Sequence, residues 1–180
     1  MQALELIKKT REYLDYVERH INNVARAWKE IQKKCPNESI IYDDDMFHSL
    51  DNEVERHDLS KLSIEEFVQY RERFYPTEGE VDAATLAVGR GSLVSDRSFT
   101  EAWENHKNLN PHHWQNWVAI PKVCNRTQVV HCTHMVIDWL AMSYEFGDTP
   151  RSYYDKNKEH IKIPEWAHVY VNELFTLIEN

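Results

Sequence analysis

The chain has 180 residues, 42 % of them apolar, with 6 Trp, 9 Tyr and 6 Phe, which suits one folded domain with a real core and excludes a disordered chain. Only 4 Gly and 6 Pro argue against a turn-rich all-β fold, and a formal charge of −9 argues against non-specific binding to nucleic acid or to an anionic membrane. No apolar run is long enough to span a membrane and no signal-peptide core opens the chain, so the expected setting is the cytoplasm.

The first predicted helix runs from about Leu4 to Lys34, where Leu4, Ile7, Leu14, Val17, Ile21, Val24, Trp28 and Ile31 recur at three- and four-residue steps. His20 shares its face with Tyr13, Val17, Val24 and Ile31, and Pro36 stops the run. Asp43-Asp44-Asp45 reads as a helix N-terminus, where carboxylates complement the dipole. In the run that follows, Met46, Leu50, Val54, His57 and Lys61 fall on one side. Ser63-Ile64-Glu65-Glu66 reads as a capping box opening a short helix through Ile64, Phe67, Val68 and Phe74, with Pro76 ending it. From Thr77 to Arg97 the periodicity breaks and three glycines occur, so a flexible loop or lid is expected over 77–97. Gly89-Arg90-Gly91-Ser92 lies in it without a P-loop Lys-Ser/Thr, and Arg90 is its candidate substrate-binding residue.

Ser98-Phe99-Thr100-Glu101 reads as a second capping box, opening a helix that aligns Phe99, Ala102, Trp103 and His106. Asn110-Pro111 ends that helix and puts His112 and His113 on the exit loop, where adjacent rings direct only one easily into any single site. Gln128 to Tyr144 is apolar nearly all round and reads as a central buried helix with Asp138 in its middle. Gly147 ends it, and Ile163-Pro164 opens the last helix with Trp166, Val169, Tyr170, Leu174 and Ile178 as its apolar contacts. Cys35, Cys124 and Cys132 are odd in number and form no C-x-x-C pair, which suggests neither a disulfide scaffold nor a zinc ribbon.

Two chemistries compete for the polar residues on these apolar faces. His57-Asp58 sets an imidazole nitrogen beside a carboxylate oxygen, a donor pair suited to zinc, iron or manganese, or else His57 is a hydrogen-bonded core histidine beside a capped helix end. A carboxylate in the middle of an apolar helix needs a metal or a basic partner, and Asp138 is such a group. His131, His134 and Asp138 also share one helix face and form a rival metal set.

A histidine (His20), then His57-Asp58, then a distant Asp138, each on its own helix, resembles the HD superfamily of metal-dependent phosphohydrolases, and His57 to Lys61 resembles its HD-x-x-K form. The stretches Ala102-Trp103-Glu104-Asn105-His106, Asn110-Pro111-His112-His113, Met135-Val136-Ile137-Asp138-Trp139 and Ala141-Met142-Ser143-Tyr144 resemble an uncharacterised family of short bacterial and phage proteins with HD-like sequence. The resemblance implies an all-α, single-domain HD-like bundle of about six helices. It implies a divalent transition metal (Mn, Fe, Zn, Co or Ni), in one or two ions, with His20, His57, Asp58 and Asp138 as ligands. Asp58, Lys61 and His106 are the expected catalytic residues, with His112, His113 and Arg90 toward substrate. The implied activity is hydrolysis of a nucleotide or similar small phosphate ester through a metal-activated water. The alternatives are a dinuclear iron oxygenase on the same fold and a non-catalytic metal- or nucleotide-binding module. Other HD phosphohydrolases often carry an acidic residue soon after the pair; here Ser60 and Lys61 stand there and Glu65 or Glu66 follow, which leaves the general acid open. A homodimer is compatible with the aromatic content but not required by it.

Overall fold

A computed structural model describes residues 2–36, 41, 43–89, 94–119 and 125–180. The described residues are all-helical: α1 (Gln2–Lys34), α2 (Asp44–Glu55), α3 (Phe67–Phe74), α4 (Glu78–Gly89), α5 (Val94–Leu109), α6 (Arg126–Phe146), α7 (Pro150–Asn157) and α8 (Glu165–Glu179), with two 3-10 helices at Leu59–Leu62 and Trp114–Ala119. No helix among them is long and apolar enough to cross a membrane. The chain groups into two compact units, each discontinuous in sequence: Met1–Arg19 with Asp58–Asn110, and His20–His57 with Pro111–Asn180. Of the three crossings, one falls inside α1 and one between His57 and Asp58, where no linker marks them in the sequence, and the third falls at Asn110-Pro111, where the proline marks a helix end.

In the first unit α3 packs on α5, and the 3-10 helix at Leu59–Leu62 contacts both. Its interior is aromatic. Tyr13 meets the edge of Phe67 with ring centroids 5.2 Å apart, and Tyr70 meets the edge of Phe99 at 5.3 Å. Two expectations are corrected here. Ile64, Val68 and Phe74 are exposed, and so are Leu4, Ile7 and Leu14 of α1; α3 turns Tyr70 and Arg71 inward instead. The Ser63–Glu66 capping box does not form: Glu66 makes no side-chain cap, because buried donors described below take its carboxylate.

The expected loop over 77–97 is helical through α4 and again from Val94. Its start signal is a capping box at Thr77 and Glu80: the Thr77 hydroxyl accepts from the Glu80 amide at 3.3 Å and the Glu80 carboxylate from the Thr77 amide at 2.7 Å. Ala83, Ala84 and Leu86 are strong helix formers and carry it on. Glu80 also receives a two-pronged pair from buried Arg71, at 2.5 and 2.7 Å. Arg71→Met should therefore lower stability by about 1.5–3 kcal/mol, read by urea denaturation. The helix expected to open at Ser98 begins four residues earlier, with Ser98 and Glu101 inside it.

In the second unit α6 is the central element, and α2, α7 and α8 pack against it. Asn125 and Gln128 form its capping box, and Gly147 closes it at φ 74°, a left-handed position that costs glycine little. Met135, Val136, Ile137 and Leu140 meet Val24, Trp28 and Ile31 of α1, Leu50 and Val54 of α2, and Val171, Leu174 and Phe175 of α8. Each such side chain contributes about 1.5–3 kcal/mol by leaving water. Asn125→Ala should cost about 1 kcal/mol, measured as a lowered melting temperature. Helix α7 was not expected from periodicity, yet Thr149 caps it and Pro150 sits in its first turn.

Candidate metal centre

Four parts of the second unit bring imidazoles and carboxylates together. His20 comes from α1, His57 from the turn after α2, His112 and His113 from the segment before Trp114, and His134 and Asp138 from α6. The Nε2 atoms of His20 and His57 are 2.9 Å apart, and Asp138 Oδ1 lies 3.4 Å from the first and 3.8 Å from the second. Two donors each about 2.1 Å from one ion stand about 3.0 Å apart at a right angle and about 3.4 Å apart at the tetrahedral angle. The 2.9 and 3.4 Å separations fit a common ligand point, and the 3.8 Å one needs a wider angle at the ion. Both histidines are buried, and Asp138 Oδ1 is buried with no hydrogen-bond partner among the described residues. A buried carboxylate oxygen without a donor is costly, and a cation among the three atoms would remove that cost.

Beside this triad stands a second one. His112, His113 and Asp138 each offer an atom, all within 4.8 Å of one another. The expectation that adjacent rings direct only one easily into a single site is corrected: their ring centroids are 4.3 Å apart and both reach Asp138. The two rings lie just before the 3-10 helix that starts at Trp114. The rival set on α6 divides. His134 joins the cluster, with Nε2 2.9 Å from His57 Nδ1, whereas His131 belongs to none of the ligand groups among the described residues. Burial holds the His131 imidazole below its ordinary pKa.

In the first unit Asp58 opens the other half of the dipeptide. Its φ is 55°, and it is the one described non-glycine residue in the left-handed region. Aspartate tolerates that conformation better than most, and such strain concentrates at functional sites. The turn sends Asp58 to neighbours of its own. Its Oδ2 lies 2.6 Å from Lys61 Nζ and its Oδ1 3.3 Å from His106 Nε2. Lys61 is buried rather than on the surface. The other nitrogen of His106, Nδ1, is 2.8 Å from Glu66 Oε2. Glu66 is fully buried and also accepts from Ser60 Oγ at 2.9 Å and Asn105 Nδ2 at 2.8 Å. Burial alone would depress the His106 pKa, but hydrogen bonds to Asp58 and Glu66 outweigh it and the net shift is upward.

The structure thus gathers His20, His57, Asp138, His112 and His113 in one unit and Asp58, Lys61 and His106 in the other. Arg90 lies outside the described residues. Glu66 and Glu53 belong with these clusters, and no motif in the sequence marks either as a site residue. Glu66 was absorbed into a capping-box pattern. Glu53 stands one helical turn before His57, and that spacing was the available signal. No curated protein and no solved structure matches the chain. A model for a family of unknown function, DUF5662, matches residues 9–180, and the chain belongs to that family.

Proposed function

We propose that the chain is a metal-dependent phosphohydrolase of the HD type, acting on a nucleotide or similar small phosphate ester. The observation that carries this reading is the buried meeting of His20 Nε2, His57 Nε2 and Asp138 Oδ1 within 2.9–3.8 Å. Two imidazoles with a carboxylate suit Mn, Fe, Co, Ni or Zn better than magnesium or calcium. The HD resemblance adds Asp58, the next residue after His57, as a ligand, and the grouping of His112, His113 with Asp138 supports a second ion. A bound ion supplies Lewis acidity toward the phosphate and a more acidic water.

The chain's own residues supply the rest. Within the first unit Lys61 holds Asp58 in one orientation through a 2.6 Å ion pair, and it is the HD resemblance that gives Lys61 the positive charge for the phosphate. His106 has both ring nitrogens facing carboxylates, and its raised pKa suits it to hold a proton for the leaving oxygen. Glu66 fixes the ring and fills the acidic position left open by Ser60 and Lys61. The test is metal analysis of purified protein followed by a screen of nucleotides and phosphate esters. His106→Ala should retain metal and lower kcat by ~10²-fold or more. Metal-loaded protein that hydrolyses none of these esters would turn the reading to a binding module. An iron-specific optical band that changes on exposure to oxygen would turn it to the oxygenase.

A further inference from the structure

We infer that His134, backed by Glu53, fixes the tautomer of His57 so that His57 presents a bare Nε2 to a divalent transition-metal ion. This deepens the metal reading above and rests on it. His57 is buried and has close partners at both ring nitrogens: His20 Nε2 is 2.9 Å from its Nε2, and His134 Nε2 is 2.9 Å from its Nδ1. A neutral imidazole carries one hydrogen. If Nε2 is the ligand atom, the hydrogen is on Nδ1 and is donated to His134 Nε2.

That bond sets a condition on His134. To accept at Nε2, its own hydrogen must be on Nδ1. That atom is buried with no hydrogen-bond partner among the described residues, and the Glu53 carboxylate lies 3.7 Å from it. The nearby negative charge favours a hydrogen on Nδ1. Glu53 and His57 are four residues apart, one at the end of α2 and one just past it, and α2 packs on α6, which carries His134. The order Glu53, His134, His57 thus runs from a half-exposed carboxylate to the proposed ligand atom. Metal-bound histidines commonly donate their second N–H to a supporting acceptor, which fixes ring and tautomer. The neighbouring alternative makes His134 a ligand itself, in a set with His57 and His112.

The test uses full-length protein, wild type and the variants His134→Leu, His134→Gln and Glu53→Ala. Zinc affinity and stoichiometry are measured by chelator competition, ring nitrogen chemical shifts of His57 by NMR on metal-free protein, and folding by thermal melt. Metal-free wild type should show His57 with its hydrogen on Nδ1. His134→Leu should bind zinc ~10–100-fold more weakly at unchanged stoichiometry. His134→Gln should recover part of that loss, because its amide oxygen can accept from His57. Glu53→Ala should weaken zinc by a smaller factor and decides the matter if His134→Leu does not fold. Wild type that binds zinc while His134→Leu binds it equally well overturns the inference and leaves the metal reading standing. Loss of one whole ion per chain in His134→Leu makes His134 a ligand and also overturns it, as does a hydrogen on Nε2 of His57 in metal-free protein. Wild type that binds no zinc overturns the metal reading, and this inference falls with it.

Discussion

Alanine at His20, His57 or Asp138 is expected to abolish the metal binding proposed above, with a loss of affinity beyond the ~10²-fold attributable to a supporting residue. The three donor atoms lie within 2.9–3.8 Å of one another, so removing one breaks the group that meets at this point. Linkage makes the effect visible without any substrate. An ion present at about 100 times its Kd stabilises the folded chain by about 2.7 kcal/mol, and each alanine variant should lose that increment. The measurement is the melting temperature with and without added zinc or manganese. His131→Ala is the control: it belongs to none of the ligand groups and should keep the full metal-dependent rise. A rise that survives both His20→Ala and His57→Ala and vanishes in His131→Ala would transfer the site to the rival set on α6.

Glu66→Ala should be among the most destabilising single changes in the chain, by about 3–5 kcal/mol. The residue is fully buried and accepts hydrogen bonds from Ser60, Asn105 and His106. Truncation strands these donors in a dry interior, including an imidazole whose pKa the carboxylate helps to raise. Total stabilities of about 5–15 kcal/mol put such a loss near the margin of folding. Urea denaturation should show a lower midpoint at an unchanged slope. Glu66→Gln keeps the shape and an acceptor oxygen and should cost less. A Glu66→Ala protein within about 0.5 kcal/mol of wild type would mean the carboxylate is dispensable and His106 is held by its other partners, Asp58 and Ser60 among them.

Helical periodicity by itself determined the long α1, the central α6 with Asp138 in its middle, and the inward aim of His20 and His57, because a helix face is written in three- and four-residue steps. Terminal signals are weaker guides. Thr77 with Glu80 and Thr149 with Pro150 were present in the sequence, but nearby glycines and short apolar runs masked the helices they open. The pattern at Ser63 and Glu66 looked the same and opened no capping box, since a carboxylate that can cap a helix can equally be drawn to buried donors from another element. Only the tertiary structure decided that competition. It alone brought His112 and His113 to the same aspartate, separated His134 from His131 on one helix, and sent Asp58 to Lys61 and His106 through a left-handed turn. Each of these outcomes depends on which side chains from distant parts of the chain arrive at one point, and local periodicity carries no record of that.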